Sequence, residues 1–211
     1  MIHFVVSSAA AARPVIDRYG LEERGGGAFP LYSNGETSLA VSGPGKMATA
    51  AAAGWLFQAA GGVVDGAWFH LGLAGHAETD IGTGLLAHKV IDRGSGHAWY
   101  PAIMMEHPAP SGVVMTVDQM DLEYDEGLLF DLDASGFYAA TERFASIELI
   151  HAYRIVADNH GATLGDNFSE DVVEDLVASK MGVVDSWVEE LRELSAVARE
   201  GLEGDATGDG E

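Results

Sequence analysis

Two acidic strand ends hold the residues best suited to chemistry. Asp131-Leu132-Asp133-Ala134 follows the short apolar run Leu128, Leu129, Phe130 and leads into a helix. Val156-Ala157-Asp158-Asn159 closes a second run that starts at Ala152. Ligand-handling residues of α/β folds collect where strands end. The two ends lie roughly 25 residues apart with a helix between them, which predicts one βαβ unit with its carboxylates around one crevice. A carboxylate there can accept hydrogen bonds from vicinal hydroxyls, or stay protonated and serve as a general acid. Each residue also has a plainer reading. Asp158 can cap a turn with Asn159-His160-Gly161, Asp133 can be a helix N-cap, Asp131 can orient the loop, and Leu132 can be core.

Glycine-rich turns supply the other candidates. Ser42-Gly43-Pro44-Gly45-Lys46 opens an Ala-rich helix, so the backbone N–H groups of Gly43 and Gly45 could hold an anion at its N-terminus. The spacing is neither a Walker A loop nor a dinucleotide fingerprint. Ala74 and Gly75 end an apolar run and could let backbone approach a base or a ribose. The histidines, among them His70, His76, His88, His97, His107, His151 and His160, show no HxxxH pair, so no metal site and no cofactor is expected. Phe137 and Tyr138 read as core, whereas Trp99 and Tyr100 are open to stacking on a base.

In their order along the chain, these motifs resemble the nucleoside phosphorylase and nucleosidase superfamily. Acidic-Leu-acidic-Ala before a helix, a strand ending in Ala-Asp, Ser42-Gly-Pro-Gly-Lys46, Leu71-Gly-Leu-Ala-Gly75 and Ile81-Gly-Thr-Gly84 all have counterparts there, over about residues 1–160. The resemblance implies cleavage of a purine-type nucleoside at its N-glycosidic bond, by hydrolysis or phosphorolysis. Asp158 would protonate the base. Asp133, one methylene shorter than the family's usual Glu, would hold the ribose hydroxyls, with Asp131, Leu132, Ala74 and Gly75 around the substrate. It further implies a homodimer or larger homo-oligomer. The departures are specific. The family's water-activating Glu falls in Ser7-Ser8-Ala9-Ala10-Ala11-Ala12-Arg13, which has no carboxylate, and Ala157 and Thr83 replace a Ser and an Asp. Arg13 could bind phosphate and favour phosphorolysis. The alternative is an altered or inactive homologue that binds a nucleoside without cleaving it.

Composition narrows the field further. The 211 residues carry 33 acidic and 11 basic side chains, for a formal charge of −22, which argues against nucleic acid and anionic membranes as partners. Hydrophobic residues make up 47%, enough for a packed core, and no cysteine is present for thiolate or disulfide chemistry. The start, Met1-Ile2-His3-Phe4-Val5-Val6, reads as a strand and not a signal peptide, so a cytoplasmic location is expected.

The elements follow from periodicity. Strands are expected over 2–7, 31–33, 38–41, 67–73, 85–91, 113–117, 128–131 and 152–156, with Asn34-Gly35 as a hairpin turn. Helices are expected over 9–19, 46–60, 134–144 and, as one or two amphipathic segments, 171–198. Residues 94–112 read as irregular and 118–127 as an acidic loop. Trp99–Met105 is too apolar for an ordinary exposed loop and should meet a partner subunit or the pocket. The alternation predicts a three-layer α/β/α sandwich around a central mixed, largely parallel sheet. It would form a single domain over residues 1–200, with a disordered acidic tail over 201–211.

Overall fold

The computed structural model describes residues 1–211 except 26, 63, 65, 105, 107, 108, 121–123, 125, 126, 163–168 and 209–211, and gives only the backbone course of 201–208. Gly26 of the expected loop, Met105, His107, most of the centre of the acidic loop and the last three residues of the expected tail therefore lie outside the described residues.

Strand β1 (Ile2–Val6) is buried at every position, as a strand with layers on both faces must be. Helix α1 (Ala9–Tyr19) follows at once. The Ser8 hydroxyl accepts from the Ala11 N–H at 3.1 Å, and Gly20 ends the helix in the left-handed region with φ +60°. The chain then forms β2 (Glu22–Arg24), β3 (Leu31–Ser33), β4 (Thr37–Val41) and helix α2 (Lys46–Ala59). The Asn34 side chain accepts from the Glu36 and Thr37 N–H groups, an Asx turn that closes the β3–β4 hairpin. Next come β5 (Ala67–His76), β6 (Gly84–Asp92), β7 (Ala98–Trp99), β8 (Ser111–Thr116), β9 (Leu128–Asp131), α3 (Ala134–Thr141), a short 3₁₀ turn (Ile147–Leu149) and β10 (Ile150–Asp158). Helices α4 (Glu170–Ala178) and α5 (Met181–Gly208) complete the described chain. The segment expected as an acidic tail starts inside α5.

The ten strands among the described residues belong to one mixed sheet. Parallel pairs β4–β1, β1–β5 and β5–β10 form its centre, and the β2–β3–β4 meander is its antiparallel edge. Beyond β10 the sheet curls back. β10 pairs with β6, β6 with β8, β8 with β9, and β9 returns to the far end of β5. Two apolar layers cover the sheet, giving the three-layer α/β/α arrangement. Val15 of α1, Val173 and Val177 of α4, and Val184, Trp187 and Leu191 of α5 pack on one face around Phe4 and Phe69. Ala52, Ala53 and Leu56 of α2 and Phe137 and Tyr138 of α3 pack on the other around Trp68 and Val114. Among the described residues, no helix is long and apolar enough to cross a membrane.

The curl corrects one expectation. Asp131 and Asp158 do not end two parallel strands of one βαβ unit. β9 runs antiparallel to β5 and β10 runs parallel to it. The acidic ends meet because β5 continues past its expected end at Leu73 and passes between them.

Candidate active site

The last residues of β5 form the floor of the site. Gly75 pairs with Phe130 on one side and with Asp158 on the other. The register of β10 slips between Val156 and Asp158, so Ala157 is an extra residue in the ladder. Such a bulge re-aims the side chain that follows it, and here that side chain is Asp158. The turn at Gly82-Thr83 backs the bulge: the Gly82 N–H donates to the Val156 carbonyl at 2.7 Å, and the Val156 N–H donates to the Thr83 carbonyl at 2.8 Å.

A cavity of about 520 Å³ opens over this floor. Ala74, Gly75, Asp131, Leu132, Asp133 and Asp158 line it, together with Ser7, Ser8 and Ala11 from the start of α1. Six of the expected site residues are thus brought together. Pro44 also lines the cavity, whereas its neighbours Gly43 and Gly45 do not. Arg13 is not brought in. Its guanidinium is exposed and pairs with Glu174 at 2.9 Å. Trp99 is buried in β7, with its Nε1 donating to Glu142 at 2.8 Å, and Tyr100 and Met104 are exposed. None of these three lines the cavity.

The three carboxylates have different surroundings. Asp131 is sealed in the protein. Its Oδ2 accepts from Arg154 Nε at 2.8 Å and from the Ala134 N–H at 2.9 Å, and its Oδ1 accepts from the Thr116 hydroxyl at 2.7 Å. Both partners of the Arg154–Asp131 ion pair are 1% exposed. Asp131 and Thr116, which accepts from the Ser135 N–H, cap helix α3. That leaves Asp133, the residue at the N-cap position itself, with no side-chain capping bond. The plain N-cap reading of Asp133 is therefore not met.

Asp133 instead turns toward α2. Its Oδ1 accepts from the Gly45 N–H at 2.6 Å, where Gly45 takes a φ of +100° that a larger residue rarely adopts. The helix N-terminus expected to bind an external anion thus holds the protein's own carboxylate. Burial, and then the charge of Asp131, raise the Asp133 pKa from its ordinary value; Arg154, the Gly45 N–H and the Ser7 hydroxyl pull the other way. The net direction fixes a stability prediction. An acid whose folded-state pKa is raised costs stability once pH exceeds its unfolded value, about 3.9, and the full cost is reached above the folded value. Asp133→Asn is therefore expected to melt at higher temperature than the wild type at pH 7. The gain should vanish as pH falls to the unfolded value. Thermal melts of both proteins from pH 7 to pH 3 check this, and a gain independent of pH would contradict it.

Asp158 is partly exposed. Its Oδ2 accepts from the Tyr124 hydroxyl at 3.0 Å, and its Oδ1 is buried with no hydrogen-bond partner among the described residues. The hydroxyl end of Tyr124 lies against Gly75, where an added Cβ would come within 2.3 Å of it, so Gly75 is needed for the tyrosine to sit there. The ring also packs on Phe130 and His160, with centroids 5.4 and 5.9 Å away. Sequence reasoning missed Tyr124 and Ser7. Tyr124 lies in an acidic loop without periodicity, and Ser7 reads only as the end of a strand.

The three-layer α/β/α sandwich around this cavity is shared with solved structures of nucleosidases and of a futalosine hydrolase. The chain superposes on 5′-methylthioadenosine nucleosidase from Arabidopsis thaliana with a TM-score of 0.71 at 14% identity, covering 90% of this chain and 95% of that one. A variant of the Helicobacter pylori 5′-methylthioadenosine/S-adenosylhomocysteine nucleosidase with 5′-methylthioadenosine in its active site gives 0.68 at 16% identity, covering 90% and 98%. Futalosine hydrolase of Helicobacter pylori gives 0.67 at 14%, covering 90% and 97%. At these identities the likeness is one of fold. No family model matches the sequence, and a search of curated proteins gives no match.

Proposed function

We propose that the protein cleaves the N-glycosidic bond of a purine-type nucleoside, with Asp158 as general acid to the base and Asp133 as acceptor for the ribose hydroxyls. The observation that carries this reading is that two carboxylates with different surroundings line one cavity: Asp133, which does not cap α3, and Asp158, which follows the Ala157 bulge. The nucleosidase folds support it, because they include an enzyme with 5′-methylthioadenosine in its active site. In the reaction the Asp158 proton goes to the purine N7. The bond from the ribose C1′ to the base breaks, and its electron pair stays on the base. An acceptor oxygen then adds to C1′, and the proton it releases restores the acid.

Water is the acceptor we favour. Among the described residues lining the cavity there is no Lys or Arg to hold phosphate. Lys46, at the start of α2, is committed to Asp92 and Asp118 at 2.8 Å each, and Arg13 lies outside. A second reading is binding without turnover. It draws on the α1 wall, where Ser7, Ser8 and Ala11 supply no carboxylate to activate water. The test is base release from adenosine, inosine and 5′-methylthioadenosine, with and without phosphate, beside thermal-shift binding of each. Free base and free sugar at a rate indifferent to phosphate supports hydrolysis. Binding without base release supports the second reading, and neither binding nor release overturns both.

The role of Asp133 has its own outcome. A hydrogen bond to a charged group is worth about 1.5–3 kcal/mol, or roughly tenfold to a hundredfold in affinity. A ribonucleoside is expected to bind more tightly than its 2′-deoxy form by that order, and Asp133→Ala is expected to erase most of the difference. Calorimetric titration of both ligands decides it, and the same preference in both proteins would remove the assignment. As part of this reading we place the protein in the cytoplasm as a homodimer or larger. Exposed Tyr100 and Met104 support a subunit contact.

A further inference from the structure

We propose that Tyr124 is the positioning residue of Asp158: its hydroxyl holds Oδ2 and so fixes the carboxyl at the wall of the cavity. The inference rests on the reading of Asp158 as the general acid. Asp158 sits on a bulge at the end of its strand, where the ladder no longer holds the backbone on both sides. The residue before it, Ala157, brings no polar side chain. The Tyr124 hydroxyl, 3.0 Å from Oδ2, is the only side-chain hydrogen bond to this carboxylate among the described residues. The tyrosine is itself held in place. It is 6% exposed, and its ring is clamped between the bare backbone of Gly75, Phe130 and His160. Oδ1 is buried and has no hydrogen-bond partner among the described residues, so the hold on this carboxyl is through Oδ2.

A donor on Oδ2 stops the side chain from rotating at the end of its strand. Loss of that donor leaves the acid in place but poorly aimed, and misplacement of a reacting group by about 1 Å can cost on the order of a hundredfold in rate. Tyr124→Phe removes the hydroxyl and keeps the ring that packs over Gly75.

The experiment is a double-mutant cycle of Tyr124→Phe and Asp158→Asn, using the nucleoside of the panel that is cleaved, with 4-nitrophenyl β-ribofuranoside as a second substrate. The nitrophenolate leaves without needing a proton. Tyr124→Phe is expected to lower kcat on the nucleoside by about tenfold to a hundredfold, with KM nearly unchanged. The loss should be much smaller on the nitrophenyl riboside. In the Asp158→Asn background, Tyr124→Phe should add little, because it acts through the group already removed. Equal losses on both substrates, or losses that multiply in the double variant, would show Tyr124 to be merely structural and overturn the proposal. Wild-type kcat in Tyr124→Phe would overturn it too. If Asp158→Asn itself retains full turnover, the reading of Asp158 fails first and the role of Tyr124 falls with it. The four proteins of the cycle distinguish that result from failure of Tyr124 alone.

Discussion

Asp158→Asn is expected to lower the turnover number by about 10²–10⁴-fold, the usual worth of positioned acid catalysis, with little change in nucleoside affinity. Asparagine keeps the shape of the side chain and can still accept the Tyr124 hydroxyl, 3.0 Å from Oδ2 in the wild type. It cannot deliver a proton to the base. The loss should therefore appear in kcat and in kcat/KM together, as for an interaction made only in the transition state. Steady-state rates of base release, with affinity measured separately by titration, check both halves. Wild-type turnover in the Asn variant would remove Asp158 from the mechanism. A large loss of affinity would give it a binding role instead.

The second large effect concerns stability. Arg154 and Asp131 are both 1% exposed and make a buried ion pair beneath the cavity. Arg154 also donates to the carbonyls of His70 and Tyr153 at 3.1 and 3.2 Å, tying β10 to β5. Removing one partner leaves the other charge buried and uncompensated, which costs about 3–5 kcal/mol. That is a large share of the 5–15 kcal/mol by which domains are usually stable. Arg154→Met is expected to lose that much in urea unfolding. Replacing both charges with apolar residues of similar volume, Asp131→Leu with Arg154→Met, is expected to recover much of the loss. A single variant as stable as the wild type would mean that Asp131 is content without its partner.

Much of this site was legible in the sequence, for a physical reason. Strand ends carry ligand-handling residues, and an acidic residue directly after an apolar run is visible without a structure. Asp131, Asp133 and Asp158 all stand out in this way. Their separate duties were not legible. Asp131 and Asp133 have the same type and lie two positions apart, and only the contacts of Arg154, Thr116 and Gly45 divide them into a carboxylate locked in an ion pair and one held at the start of α2. Arg154 itself was hidden inside a run that reads as plain core strand. Periodicity ends β5 early, at Leu73, because Gly72, Ala74 and Gly75 weaken a strand pattern. Those small residues are there for close approach: Gly75 admits Tyr124, and an added Cβ at Gly72 would meet Arg154 at 3.1 Å. The curl that carries β9 back to β5 depends on pairing between segments more than 50 positions apart in the chain, which periodicity does not report. Arg13 was suggested only by its place in the family's order. Its face of α1 looks toward Glu174 and not into the cavity.

The most direct test of the account is a crystal structure of the Asp158→Asn variant soaked with a purine nucleoside. The variant should bind without turning its ligand over. The account predicts the ribose 2′- and 3′-hydroxyls within hydrogen-bond reach of the Asp133 carboxylate, and the purine N7 facing the side chain at position 158 beside the Tyr124 hydroxyl. A nucleoside bound with its sugar away from Asp133, or its base away from position 158, would contradict it, as would a cavity that stays empty at saturating nucleoside.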